Sequence, residues 1–78
     1  MNQLNDKGQK HGYWEMYDRY DNLYAKGEYV NGIHDGYWEE YYSTGNLVWK
    51  GYFKDNKAVN FWQFYDRLGN LTLKAFRL

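Results

Sequence analysis

The sequence predicts an all-β chain, a single-layer antiparallel meander of about six strands built from three 24-residue β-hairpin repeats. Three observations carry this reading. A pattern returns every 24 residues without a gap. Aromatic and β-branched runs alternate with turn residues. No apolar spacing of helical period survives between the turns.

Residues 12–35 read GYWEMYDRYDNLYAKGEYVNGIHD, residues 36–59 read GYWEEYYSTGNLVWKGYFKDNKAV, and residues 60–78 read NFWQFYDRLGNLTLKAFRL. Trp14, Trp38 and Trp62 stand 24 apart, as do Tyr17, Tyr41 and Tyr65, then Asn22, Asn46 and Asn70, Leu23, Leu47 and Leu71, and Lys26, Lys50 and Lys74. Gly8 to Gly12 matches Gly32 to Gly36, so the head reads as the tail of an incomplete unit. The chain therefore divides, within one domain spanning 1–78, into a partial N-terminal cap (1–11), repeat 1 (12–35), repeat 2 (36–59) and a C-terminal capping repeat (60–78). A chain of 78 residues leaves no room for a second independent fold.

Each element follows from local chemistry. Asn31-Gly32 lies between Glu28-Tyr29-Val30 and Ile33 and is a two-residue hairpin signal, because both residues accept positive φ at low steric cost. Asp21-Asn22, Gly45-Asn46 and Gly69-Asn70 mark slightly longer loops. The strands expected between these turns span 9–18, 23–30, 33–42, 47–54, 57–66 and 71–78. Along the second strand of each unit, period two groups Leu23, Ala25, Gly27 and Tyr29, then Leu47, Trp49, Gly51 and Phe53, then Leu71, Leu73, Ala75 and Arg77. This is the expected better-buried face. Gly27, Gly51 and Ala75 form one column, and a missing side chain there lets a neighbouring Trp14, Trp38 or Trp62 ring lie on backbone.

Composition narrows the function classes. The mean hydropathy of −1.01 resembles that of disordered chains, yet 23% of residues are Phe, Trp or Tyr, which such chains lack. The ten tyrosines resolve the conflict, since each buries a ring while keeping its hydroxyl wet. Ten basic and ten acidic side chains give a net charge of zero, without the field of a nucleic-acid or anionic-membrane binder. There is no cysteine, and Met1 to Lys10 carries no apolar run after a basic start, so a cytoplasmic setting is expected with no membrane attachment.

Gly27-x-Tyr29-x-x-Gly32-x-x-x-Gly36 resembles the glycine and aromatic skeleton of the MORN repeat, whose units are two-stranded hairpins laid side by side. Gly12, Trp14 and Tyr17, and again Gly36, Trp38 and Tyr41 followed by Gly45-Asn46-Leu47, are similar to the bacterial MORN-variant family described as antitoxins. The resemblance covers residues 7–78 and implies a binding role. The chain departs from it in carrying barely three units where family members often carry more. Asn56 at the end of repeat 2 and Asn60 and Ala75 in the last unit replace glycines, and Arg77 replaces an aromatic residue, as terminal repeats of an array often do.

No residue set carries catalysis. His11 and His34 fall in different columns near turns and read as solvated loop residues, and His34 beside Asp35 is too sparse for a metal site. Glu15 and Glu39 repeat, but Gln63 takes the third position, and acid–base work needs two carboxylates in unequal surroundings. Ser43 has no neighbouring base, and there is no nucleophile elbow or phosphate-cradling loop. No enzyme activity, cofactor or metal is expected. The Lys26, Lys50 and Lys74 column shares a face with Tyr24, Tyr52 and Phe76, a stacking pattern for RNA, but Glu28 sits among them and the net charge is zero.

What remains is a sheet with aromatic side chains on both faces and no helix to cover either. Tyr13, Tyr37 and Phe61 with Tyr17, Tyr41 and Tyr65, edged by Glu15, Glu39 and Glu40, are the expected partner-binding surface. The expected role is inhibition of an enzyme or toxin by direct occlusion, with a structural homo-oligomer that serves a larger assembly as the alternative. The partner class is a protein, either a toxin, nuclease or other enzyme of a bacterial or phage system, or a second copy in a homodimer through an aromatic face.

Overall fold

Aromatic and β-branched side chains fill the segments between turns, and a pleated backbone gives them room that a helical turn does not. A computed structural model describes residues 2–77, with side chains through Ala75. The strands are β1 (Gln3–Leu4), β2 (Lys10–Tyr17), β3 (Leu23–Val30), β4 (Ile33–Tyr41), β5 (Leu47–Lys54), β6 (Lys57–Tyr65) and β7 (Leu71–Arg77). They form one open antiparallel sheet in the order β1-β2-β3-β4-β5-β6-β7, a meander in which every strand pairs with its neighbours in sequence. The molecule is correspondingly thin, 41 × 36 × 13 Å.

The sheet has seven strands where six were expected, because the polar head contributes β1. Gln3 pairs with His11 and Leu4 with Lys10. Side chains hold this short strand in place. Asn2 Nδ2 donates to Glu15 O at 2.9 Å, Asn2 Oδ1 accepts from Glu15 N at 2.7 Å, and Trp14 Nε1 donates to Gln3 O at 3.0 Å. The expected end of the last strand at Leu78 lies outside the described residues, as do the side chains of Phe76 and Arg77.

The turns follow the sequence. Asn31 and Gly32 have φ of 50° and 84° between the paired Val30 and Ile33, a two-residue turn whose twist matches the strands. Asp55 and Asn56, at 51° and 68°, make the equivalent turn between Lys54 and Lys57 without glycine. Asn and Asp enter this left-handed region more readily than other side chains. Each turn also docks on an earlier strand: Gly32 N donates to Lys10 O at 2.8 Å and Asn56 N to His34 O at 2.9 Å. Gly12, Gly36 and Asn60 share positive φ values of 85°, 112° and 62°, so β6 fills the left-handed position that glycine takes in β2 and β4 with the next most tolerant residue. The ladders of β3 with β4 and β5 with β6 shift register beside Gly36 and Asn60.

The expected glycine and tryptophan columns meet on one face. A Cβ at Gly27 would sit under 3.0 Å from ring carbons of Trp38, and one at Gly51 under 3.0 Å from those of Trp62. Trp38 Nε1 donates to Glu28 O at 2.8 Å, and Trp62 Nε1 to Tyr52 O at 3.1 Å and Val59 O at 3.0 Å, which fix the rings flat over the preceding strand. Trp38 is 1% exposed and forms the core with Ala25 and Tyr29, flanked by Trp14, Met16, Trp49 and Phe53. Burying one such ring contributes about 4–6 kcal/mol at 25 cal/mol per Å². A single layer thus builds its core from rings laid on its own backbone.

His34 departs from expectation. It lies in β4, and its ring sits 4.4 Å from that of Trp38, 4.8 Å from Tyr29 and 5.0 Å from Phe53. It is a half-buried member of the aromatic cluster and not a solvated loop residue, because alternation in β4 turns it toward the tryptophan face. His11 lies in β2, is exposed, and accepts from Asn31 N at 3.2 Å.

Candidate interaction surface

Alternation that turns tryptophans to one face turns tyrosines and charges to the other. Across the sheet the register pairs Glu15 with Lys26, Lys26 with Glu39, Glu39 with Lys50, Lys50 with Gln63, and Gln63 with Lys74. These six residues form a row perpendicular to the strands, in which carboxylates and ammonium groups alternate until Gln63 interrupts them. Lys26 Nζ lies 3.5 Å from Glu39 Oε1. Tyr13, Glu28, Tyr37, Tyr52 and Phe61 flank the row toward the two-residue turns, through the pairs Tyr13 with Glu28 and Tyr37 with Tyr52. Tyr17, Tyr24, Tyr41, Val48 and Tyr65 flank it on the other side by the same alternation.

Each glutamate of the row clamps two tyrosines of its own strand. Tyr13 OH donates to Glu15 Oε2 at 3.0 Å and Tyr17 OH to Glu15 Oε1 at 2.9 Å. In β4, Tyr37 OH donates to Glu39 Oε2 at 2.6 Å and Tyr41 OH donates to Glu39 Oε1. In β6 the arrangement is reduced, since Phe61 has no hydroxyl and Tyr65 OH donates to Gln63 Oε1 at 3.1 Å. The clamp arises because residues two apart in a strand share a face, which lets phenols at i−2 and i+2 reach one carboxylate.

The electrostatics follow from this geometry. Burial pushes the Glu39 carboxyl up, but the Tyr37 and Tyr41 hydrogen bonds and the Lys26 charge outweigh it, so the group sits below its ordinary value. Burial, then the hydrogen bond and charge of Glu39, hold the Tyr37 and Tyr41 phenols well above theirs. Tyr13 is raised by burial and then by Glu15, and Tyr17 first by its hydrogen bond to Glu15. A carboxylate held ionised with both oxygens occupied is a poor proton shuttle and a good anchor for rings.

The fold brings together eight of the nine residues expected at the surface: Tyr13, Glu15, Tyr17, Tyr37, Glu39, Tyr41, Phe61 and Tyr65. Glu40 does not join them. It pairs with Ala25 and Trp49 on the tryptophan face, since consecutive strand residues point to opposite sides. No family model, curated protein or solved structure matches this chain. The surface is therefore read from its own chemistry. Tyr17, Tyr24, Tyr37, Tyr52 and Phe61 are all exposed, and a shallow hollow of about 310 Å³ opens among Tyr37, Tyr52, Phe61, Lys50 and Gln63.

Along the sequence the lysine column and the tyrosine surface are two separate patterns. The register joins them on one face, with Lys26 Nζ 5.8 Å from the Tyr41 ring centroid and Lys50 Nζ 6.0 Å from that of Tyr65. Carrying parity across the Asn31-Gly32 turn was the available signal. Because Glu15 and Glu39 alternate with Lys26 and Lys50, and Gln63 separates Lys50 from Lys74, the lysines do not form a continuous track for phosphates. Among the described residues no three His, Asp or Glu side chains converge, and no helix is long and apolar enough to cross a membrane.

Proposed function

We propose that this chain is a MORN-variant-like protein-binding module that inhibits an enzyme or toxin by direct occlusion. An antitoxin, or a phage-encoded inhibitor of a host defence nuclease, has this profile. In this reading residues 1–11 cap the hairpin units 12–35, 36–59 and 60–78, and the module works in the cytoplasm without cofactor or catalytic group of its own.

One observation carries the proposal: an uncovered sheet face with exposed rings, of which Tyr17 and Tyr37, with the half-buried Tyr13 and Tyr41, are held in place by glutamate clamps. A ring already fixed loses little entropy on binding, and its hydroxyl edge suits a partly wet interface. The lowered Glu39 carboxyl supports a positioning role for that residue over proton transfer.

The test is capture and inhibition. Immobilised wild-type chain should retain one enzyme from host lysate and abolish its activity at equimolar ratio. Tyr37→Ala with Tyr41→Ala should weaken capture by at least about tenfold, as expected for paired aromatic anchors, while circular dichroism shows the sheet intact. Undiminished inhibition by the double variant would refute this surface.

A further inference from the structure

The central row of the tyrosine face has a property that a surface built for an unrelated partner does not need. It is complementary to itself. Read from β2 to β7 the row is Glu15, Lys26, Glu39, Lys50, Gln63, Lys74. Reversed and laid over itself, it sets Glu15 against Lys74, Lys26 against Gln63, and Glu39 against Lys50, with no like charges opposed. Among the described residues the row holds one ion pair within its own chain, Lys26 with Glu39. The neutral Gln63 thus falls opposite the lysine that is already paired, while Glu15, Lys50 and Lys74 each meet an opposite charge.

We infer that the tyrosine face is covered by a second copy of this chain, in a face-to-face dimer whose two-fold axis runs parallel to the strands between β4 and β5. The inference rests on the reading of this face as an interface. Rotation about such an axis reverses strand order and preserves position along the strands, which is the operation that makes the row complementary. An axis perpendicular to the strands would stack Glu15 on Glu15 and Lys50 on Lys50, and repulsion rejects it. An axis between β3 and β4 would leave the seven-residue β7 uncovered, whereas the axis between β4 and β5 leaves only the two-residue β1.

The flanking columns agree with this placement. Tyr37 meets Tyr52 of the second copy, Tyr24 meets Tyr65, and Tyr41 meets Val48. The hollow among Tyr37, Tyr52 and Phe61 lies beside the axis, where the second copy's rings fill it. Glu28 falls opposite Phe61 toward the turn end and keeps its carboxylate in water. The 41 × 36 Å outline of the sheet is large enough for the roughly 800 Å² per partner that a stable interface buries. The dimer supplies the second layer that a lone sheet lacks. A target that uses the same face must displace the second copy, so self-association sets a threshold for inhibition.

A charge swap tests this on the full chain. Lys50→Glu sets carboxylate against carboxylate in both contacts beside the axis, and Glu39→Lys sets ammonium against ammonium there. Each variant alone should dimerise more than about tenfold more weakly than wild type, measured by sedimentation. Mixed one to one, they should recover a heterodimer, since both central contacts become opposite in sign. With the axis between β3 and β4, mixing would oppose Lys26 of one chain to the lysine introduced in the other and would not recover it.

Circular dichroism checks the fold of each variant, and a measurement on wild type needs no variant. Carbodiimide coupling in a mixture of light and ¹⁵N-labelled chains should give a Glu39–Lys50 crosslink between light and heavy peptides. A wild-type chain that stays monomeric, variants that dimerise as well as wild type, a mixture that stays apart, or an absent light–heavy crosslink would each overturn the inference. None of these readouts involves a target, so failure here leaves the occlusion proposal to its own capture assay, and failure of capture leaves the dimer measurable.

Discussion

Adding a single methyl group at Gly51 opposes the contact on which the core depends. A Cβ there would lie under 3.0 Å from three ring carbons of Trp62, a side chain only 6% exposed. Either the strands part, at the 1–3 kcal/mol typical of overpacking, or the ring leaves. If it leaves, it forfeits up to about 4–6 kcal/mol of burial and its hydrogen bonds to Tyr52 O and Val59 O. It also loses its packing on Trp49 and Phe53 at centroid distances of 4.7 and 5.2 Å. We expect Gly51→Ala to cost about 3–5 kcal/mol, the range for losing a buried aromatic ring. For a chain of this length, whose whole stability is of order 4–12 kcal/mol, that is a large share. Urea unfolding followed by tryptophan fluorescence and far-ultraviolet dichroism measures it. Ala75→Gly is the control, since Ala75 occupies the same column and no later tryptophan of the sequence lies over it. It should cost no more than about 1 kcal/mol. In a Trp62→Leu background, Gly51→Ala should lose most of its effect. A Gly51→Ala chain within about 1 kcal/mol of wild type, below the cost of overpacking, would refute the ring-on-glycine account.

Glu39→Gln should lower stability by about 1–3 kcal/mol, the worth of hydrogen bonds to a charged group, because an amide has one oxygen for two phenols; Glu40→Gln on the other face should change it by less than about 0.5 kcal/mol. The lowered carboxyl of Glu39 gives a stabilisation present above its ordinary value of 4.5 and lost as pH falls through its folded value. Urea midpoints measured down the acid range should show this loss, with a shallower loss in Glu39→Gln. The raised Tyr37 and Tyr41 phenols act at the other end, stabilising fully below the ordinary 10.0 and losing that contribution as pH rises through their folded values. Ultraviolet titration of the native protein should show unionised phenol persisting above 10.0, and Tyr37→Phe with Tyr41→Phe should remove that component. Asn60→Gly, at a φ of 62°, should raise stability by about 1 kcal/mol in thermal unfolding, by relieving a left-handed side chain.

The all-β meander was legible because turn chemistry and period-two alternation are local signals. Asn31-Gly32, the spacing of Trp38 and Trp62, and the glycines beneath those rings can be read along the chain. β1 was not legible, since Gln3 and Leu4 carry no strand pattern and the segment is held by bonds to β2, from Asn2 to the Glu15 backbone and from the Trp14 indole to Gln3 O. The tyrosine surface was found residue by residue through its column spacing, but its organisation was not. A clamp such as Tyr37-Glu39-Tyr41 lies within one strand and was available from alternation, whereas the charge row depends on pairing between strands. The side that His34 and Glu40 take follows from alternation within β4 alone. Strand parity decides their direction over nearness to a turn, for His34, or to another acidic residue, for Glu40.

The lean of each tryptophan over the strand before it gives the sheet a temporal order. The β3–β4 and β5–β6 hairpins each hold a glycine and the ring that covers it: Gly27 is roofed only when Trp38 arrives, and Gly51 only when Trp62 arrives. β3 and β5 therefore each wait one strand behind synthesis and are latched by the tryptophan of the strand that follows. Shortening the chain from its C-terminal side would unroof the last remaining unit, while substitutions near the start would leave later latches intact.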